Sequence, residues 1–334
     1  MTPAAARRPG SDLRGVRLHV VTGKGGTGKT TVAAALALAL AADGQQVLLM
    51  EVEGRQGIAQ LFDVPPLPYE ERKVAVARNG GDVVALAVDP EAALLEYLDM
   101  YYHLGRAGKA LRKIGMVEFA TTVAPGVRDV LLTGKAYEAV RRRQDKDPVY
   151  DAVVLDAPPT GRITRFLNVN SEIAGVAKVG PIKRQADSIM ELLRSPRTAV
   201  HLVTLLEEMP TQETMDGVAE LRAAGLPVGA VFVNMIRPPL LRGVSLQQAR
   251  KGTLDQIDVA AGLTAAGIGH SPHVVAALLS EAGEHAERLA LEKQELKALK
   301  SLDRPLFELP WLAEGIDLSS LYELADEMND QGVA

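Results

Sequence analysis

The chain has 334 residues, 47% of them hydrophobic, with a formal net charge of −5 and no cysteine. That length can bury a large core and admits one α/β domain with insertions. The charge speaks against a nucleic-acid partner, and the missing thiols exclude disulfides, thiolate metal sites and cysteine nucleophiles, in keeping with a reducing, cytoplasmic setting.

Residues 1 to about 14 are expected to be a flexible tail, since the arginines there have no apolar stretch behind them to make a signal sequence. From Val16 the run VRLHVV reads as a strand that empties into GKGGTGKTT and then into an Ala/Leu helix over about residues 30–42. Gly23, Gly25, Gly26 and Gly28 let the backbone wrap a polyphosphate and turn N–H groups toward its oxygens, and Thr27 and Thr31 belong to the same cradle. Lys29 adds a charge for the β/γ-phosphates and Thr30 a hydroxyl for Mg2+, which completes a triphosphate-binding pattern. The same letters spell G-x-G-x-x-G, with Glu51 where a dinucleotide fold keeps its ribose acid. A dinucleotide loop, however, has no use for a lysine and a threonine after its last glycine. A glycine turn without a ligand is the blandest alternative, and it carries a cost in backbone entropy.

A second strand is expected over residues 47–52. Its exit carries Glu51 and Glu53, of which Glu53 is the preferred candidate to orient water toward a γ-phosphate. After a strand over 83–88, residues 90 to about 144 read as helices. Leu94, Tyr97, Leu98, Tyr101 and Leu104 recur there at helical spacing, with a further apolar cluster from Leu111 to Phe119. Such stripes serve either as core or as a groove for a hydrophobic partner. Arg141, Arg142 and Arg143 read as a solvated helix end. The strand over 149–155 delivers Asp156 into APPTGR, the presentation of an acid that holds Mg2+, with Gly161 permitting a mobile turn.

Residues 171–194 read as helical, followed by strands over 199–206 and 228–234. Asn234 closes the latter with an amide suited to a purine edge, though the same residue also serves turns. Residues 240–271 are glycine-rich and poorly periodic, 273–302 read as a charged helix, 306–309 as a last strand before Pro310 and Trp311, and 318–328 as an acidic helix. The histidines show no metal-ligand spacing. The longest apolar stretch, over 32–42, is too short to span a bilayer.

These residues resemble the ATPase family that includes the bacterial arsenite-pump ATPase and the eukaryotic targeting factor for tail-anchored membrane proteins. GKGGTGKT has that family's deviant form with an extra lysine, Lys24. ALAVDPEAALLEYL, APGVRD, DAPPTGRITRFL, LLEEMPTQET, VFVN and ELPWL resemble its further landmarks in order, in wording nearest an actinobacterial branch. The resemblance implies one α/β P-loop NTPase domain over 15–334, with a mostly parallel sheet flanked by helices and a helical subdomain inserted at about 90–145 and 168–196. It implies an ATP- and Mg2+-dependent ATPase that dimerises with itself or with a paralogue. Lys24 would reach the partner's phosphates, Lys29, Glu53 and Asp156 would act in cis, and Asn234 and Pro310 would hold adenine. A hydrophobic client or membrane-protein partner is the implied cargo. The family's switch aspartate is replaced by Glu53, and its arsenite- and zinc-binding cysteines have no counterpart. An arsenite pump is therefore not expected, and a nucleotide-gated scaffold with little turnover is the alternative.

Overall fold

The computed structural model describes residues 13–78, 80–102, 125–176 and 181–333. The apolar cluster expected between Leu111 and Phe119 lies outside these residues, as does most of the expected tail. Leu13, assigned to that tail, is instead buried in the core.

One sheet of eight strands runs in the order β10-β9-β8-β1-β7-β2-β4-β3. Its strands are β1 (Leu18–Gly23), β2 (Gln46–Glu51), β3 (Arg72–Val76), β4 (Asp82–Ala87), β7 (Ala152–Asp156), β8 (Thr198–Thr204), β9 (Val228–Ile236) and β10 (Leu306–Pro310), while β5 (Arg143–Gln144) and β6 (Asp147–Pro148) make a separate short ladder. Every neighbouring pair in the large sheet is parallel except β3 with β4. A parallel sheet must be covered on both faces, which explains why β1, β7 and β8 are buried along their whole length. One face is covered by α1 (Lys29–Leu40), the short α2 (Gly57–Leu61) and α11 (Leu318–Asp330). The other is covered by α4 (Pro125–Arg141), α5 (Thr160–Val176), α6 (Pro181–Arg194), α7 (Glu208–Ala223) and the end of α10 (Pro272–Lys300).

Helix α1 is buried all round from Val32 to Ala39. It lies between the sheet and α11, so alanine rather than an amphipathic stripe is the fitting choice, because small side chains admit close approach on two sides. The two edges of the sheet are treated differently. At β3 the pairing shifts between Lys73 and Ala75. At β10 the Gln331 amide accepts from the Glu308 N–H at 2.9 Å and donates to the Glu308 carbonyl at 2.7 Å.

The structure corrects two expectations. Arg142 is no solvated helix end: it donates twice to Glu71, at 2.7 and 2.8 Å, and also to Glu138. Residues 240–271 contain α8 (Gly243–Lys251) and α9 (Gln256–Ala265). Gly252 ends α8 at φ 65°, and the Asp255 carboxylate caps α9 by accepting from Ile257 N–H. Both helices are short and rest on α10 from one side, which left little periodicity to read.

Inside the sheet, His19 on β1 and His201 on β8 stack at 5.3 Å, with His19 Nδ1 and His201 Nε2 3.1 Å apart. Ala230 N–H donates to His201 Nδ1 at 3.0 Å, so the His201 proton sits on Nε2 and is given to His19. Burial pushes His19 down to about 4 from 6.5, and burial together with the neighbouring His19 lowers His201 as well. The unfolded chain therefore binds more protons than the folded one below pH 6.5, and stability is lost as pH falls from 6.5 toward 4. Replacing His19 removes its share of this pH dependence. In urea unfolding, the stability gap between wild type and His19→Gln should narrow by about 2 kcal/mol from about pH 7.5 to about pH 5. A gap independent of pH would show that the pair is not held neutral.

Among the described residues, no helix is long and apolar enough to cross a membrane.

Candidate functional site

Parallel strands place their exits on one edge, where open α/β sheets take ligands. The exits of β1, β2, β7 and β9 carry Gly23, Glu51, Asp156 and Asn234, and β10 ends at Pro310 beside them. Gly23 ends β1 against β8, where a Cβ would meet the Val203 carbonyl oxygen at 2.2 Å. The loop that follows exposes Gly25 and Gly26 and buries Thr27. Thr27 Oγ1 donates to the Lys24 carbonyl at 2.8 Å, which folds the loop back on itself. Gly28 then opens α1 at φ 85°, with no side chain capping the helix. The first N–H groups of α1 thus face the loop without an internal partner, the arrangement that binds anions.

Lys29, the first residue of α1, turns its ammonium toward the Lys24 carbonyl at 3.5 Å. Thr30 Oγ1 donates to Asp156 Oδ2 at 2.7 Å, joining the phosphate loop to the end of β7. Thr31 is partly exposed in the same turn. Burial raises the Asp156 carboxyl to about 6, against the lowering effects of the Thr30 hydrogen bond and the Lys29 charge. Asp156 Oδ1 is buried with no hydrogen-bond partner among the described residues.

The Lys24 and Lys29 ammonium groups have different partners. That of Lys24 pairs with Glu213 on α7 at 3.0 Å, and Glu213 also accepts from Thr160 Oγ1 at 3.4 Å. Thr160 opens α5 at the end of the APPT turn, and Thr22 Oγ1 holds that turn through the Pro158 carbonyl at 2.6 Å.

Glu53 lies beyond the end of β2, partly exposed and paired with Arg55 at 3.5 Å. The Val52 carbonyl beside it accepts from Arg128 on α4 at 3.2 Å. Glu51, ranked below Glu53 in the sequence, is 2% exposed. Its Oε2 accepts from Ile58 N–H at 3.2 Å and its Oε1 has no hydrogen-bond partner among the described residues.

Asn234 is buried and its amide donates to the Thr27 carbonyl at 2.9 Å. A Cβ on Gly28 would stand 2.4 Å from the same nitrogen, so Asn234 braces the loop from behind. Asn234→Ala leaves that carbonyl unpaired and should weaken ATP binding by about 1–3 kcal/mol. Calorimetric titration checks the route: bracing predicts an equal loss for ATP and GTP, whereas a loss confined to ATP assigns the residue to the base. Pro310 pairs in register with Ile236. After it, Trp311 is 41% exposed with the Arg237 guanidinium 4.6 Å over its ring. This exposed stacked pair was not singled out from the sequence, where the chain's single tryptophan at a strand exit was the available signal.

Comparison with known proteins gives a consistent picture. Residues 16–196 match the family described as Anion-transporting ATPase. The chain is 56% identical over 324 residues to the protein named ATPase BagA from Mycobacterium tuberculosis, covering 97% of this chain and 95% of that protein. It is 26% identical over 280 residues to ATPase GET3 from Kluyveromyces lactis, covering 71% of this chain and 79% of the relative.

Proposed function

Since this chain belongs to the anion-transporting ATPase family, we propose that it hydrolyses ATP with Mg2+, closing as a dimer around the nucleotide so that turnover opens and closes a partner-binding surface. The observation that carries the catalytic part is the Thr30–Asp156 hydrogen bond at the foot of an uncapped helix carrying Lys29. Phosphoryl transfer needs positioning and charge more than covalent help, and these residues supply both. The helix N-terminus and Lys29 hold the phosphates, while Glu53 orients the attacking water once it leaves Arg55.

A divalent cation fits the residues present. Thr30 offers a hydroxyl already tied to a carboxylate, and Asp156 Oδ1 is a buried oxygen without a hydrogen-bond partner among the described residues. When bound, Mg2+ would neutralise charge on the phosphates.

For the moving surface, the supporting contact is Arg128 on the Val52 carbonyl, because α4 belongs to the proposed helical insert and touches the segment that carries Glu53. A hydrophobic client or a membrane-protein partner is the proposed cargo of that insert, and the dimer partner is a second copy or a paralogue.

The second reading, a nucleotide-gated scaffold with little turnover, is favoured by the Glu53–Arg55 pair, which already occupies one oxygen of the carboxylate. Single-turnover hydrolysis separates the two. Glu53→Gln should bind ATP as wild type does and cleave it about 100-fold more slowly. A wild-type chain that binds ATP without cleaving it would establish the scaffold.

A further inference from the structure

Strands β2 and β7 are parallel neighbours, and their last residues pair in register, Glu51 with Asp156. Residues opposite one another on adjacent strands point to the same face. For this pair it is the face under α1, because Leu49 and Val154, two residues earlier on each strand, pack in the α1-side core. Glu51 and Asp156 are 2% and 8% exposed, and each keeps one carboxylate oxygen, Oε1 and Oδ1, buried with no hydrogen-bond partner among the described residues. Their other oxygens are occupied by Ile58 N–H and by Thr30 Oγ1. Lys29 is near enough to act on Asp156, yet its ammonium donates to the Lys24 carbonyl. Two acids facing one space with an orphaned oxygen each is a costly arrangement unless a positive charge lies between them.

The geometry points to a divalent-cation site, held by Glu51 and Asp156 with the Thr30 hydroxyl, that forms before any nucleotide arrives. Magnesium is commonly bound through one or two carboxylates with water filling the rest of its shell, so two acids and a hydroxyl suffice. No group of three or more acidic, imidazole or thiol ligands exists among the described residues, which limits the protein's share to this set. P-loop sites ordinarily bring one acid and a hydroxyl and take their remaining charge from the phosphates. Glu51 supplies the additional negative charge from the protein itself. It differs from Glu53 in being fixed, since Ile58 N–H holds its other oxygen while Glu53 pairs with an exposed arginine. The inference deepens the ATPase reading by adding a residue to its cation end, and its test does not depend on turnover.

Titrating the nucleotide-free chain with Mn2+ alone, and following the free ion by electron paramagnetic resonance, reads the site directly. The expected result is one Mn2+ per chain in wild type, with affinity reduced about tenfold or more in Glu51→Gln and in Asp156→Asn. Wild-type protein that takes up no Mn2+ at millimolar concentration overturns the inference. Equal affinity in wild type and Glu51→Gln overturns it too. Should the glutamine variant not fold, the wild-type titration alone decides. ATP titration by calorimetry in chelator reads the nucleotide separately. ATP binding without Mn2+ binding removes only the cation site, and Mn2+ binding in a chain that binds no ATP under any condition removes only the ATPase reading.

Discussion

Lys29→Ala is expected to lose ATP binding by a factor on the order of 100 or more, because a charge-assisted contact to phosphate is removed from a site with few substitutes. Apart from Lys29, the cradle offers backbone N–H groups from an uncapped helix start and the Thr30 hydroxyl, which already donates to Asp156. The Lys24 ammonium pairs with Glu213 at 3.0 Å. The fold should persist, because among the described residues the Lys29 ammonium makes only the 3.5 Å contact to a carbonyl that Thr27 also serves. Calorimetric titration with ATP, alongside a thermal melt of the apo chain, checks both halves. Wild-type affinity in the variant would remove the phosphate-loop assignment.

Lys24→Ala should do the opposite, keeping most of the ATP affinity while losing turnover by about 100-fold or more, the scale of a cation supplied in trans to a phosphoryl transition state. Lys24 lies in the loop beside exposed Gly25 and Gly26, and its ammonium pairs with Glu213 while its carbonyl faces the Lys29 ammonium. Both Lys24 and Glu213 are partly exposed, so their pair is weak and readily exchanged for a stronger anion. In the proposed dimer that anion is the facing subunit's phosphate. Steady-state hydrolysis per chain should then fall on dilution, and a Lys24→Ala chain mixed with a hydrolysis-dead chain should recover activity only in the site that the intact lysine can reach. Hydrolysis by Lys24→Ala at the wild-type rate, or a rate per chain that ignores dilution, would make Lys24 a surface lysine.

Much of this site could be read before any coordinates. The strand, glycine loop and alanine helix announce themselves by local chemistry, and Asp156 follows an unbroken apolar run. Contacts between distant segments were harder. Nothing near Lys24 in sequence points to Glu213, and nothing near Asn234 points to the Thr27 carbonyl that it holds. Glu51 was ranked second for a reason that lies in the sheet. Strand β2 is buried on both faces, so Val47 to Met50 form a continuous apolar run with no alternation to mark which side each residue takes. Only the pairing with Asp156 fixes the face of Glu51. Strand β3 escaped because RKVAV is short and half exposed, as an edge strand of this kind must be.

The amide that closes β10 bears on how this protein behaves when crowded. A free sheet edge is a template on which another chain can add a strand, the first step toward aggregates. By satisfying both backbone groups of Glu308, the Gln331 side chain imitates the peptide unit that an invading strand would bring. At the far edge, the shift at Lys73 and the charges of Arg72 and Lys73 spoil the register that a newcomer would need. A parallel sheet of this width is slow to assemble and exposes its edges while it does so. One glutamine side chain at the end of α11 thus does at this edge what the register shift and the charges do at the other.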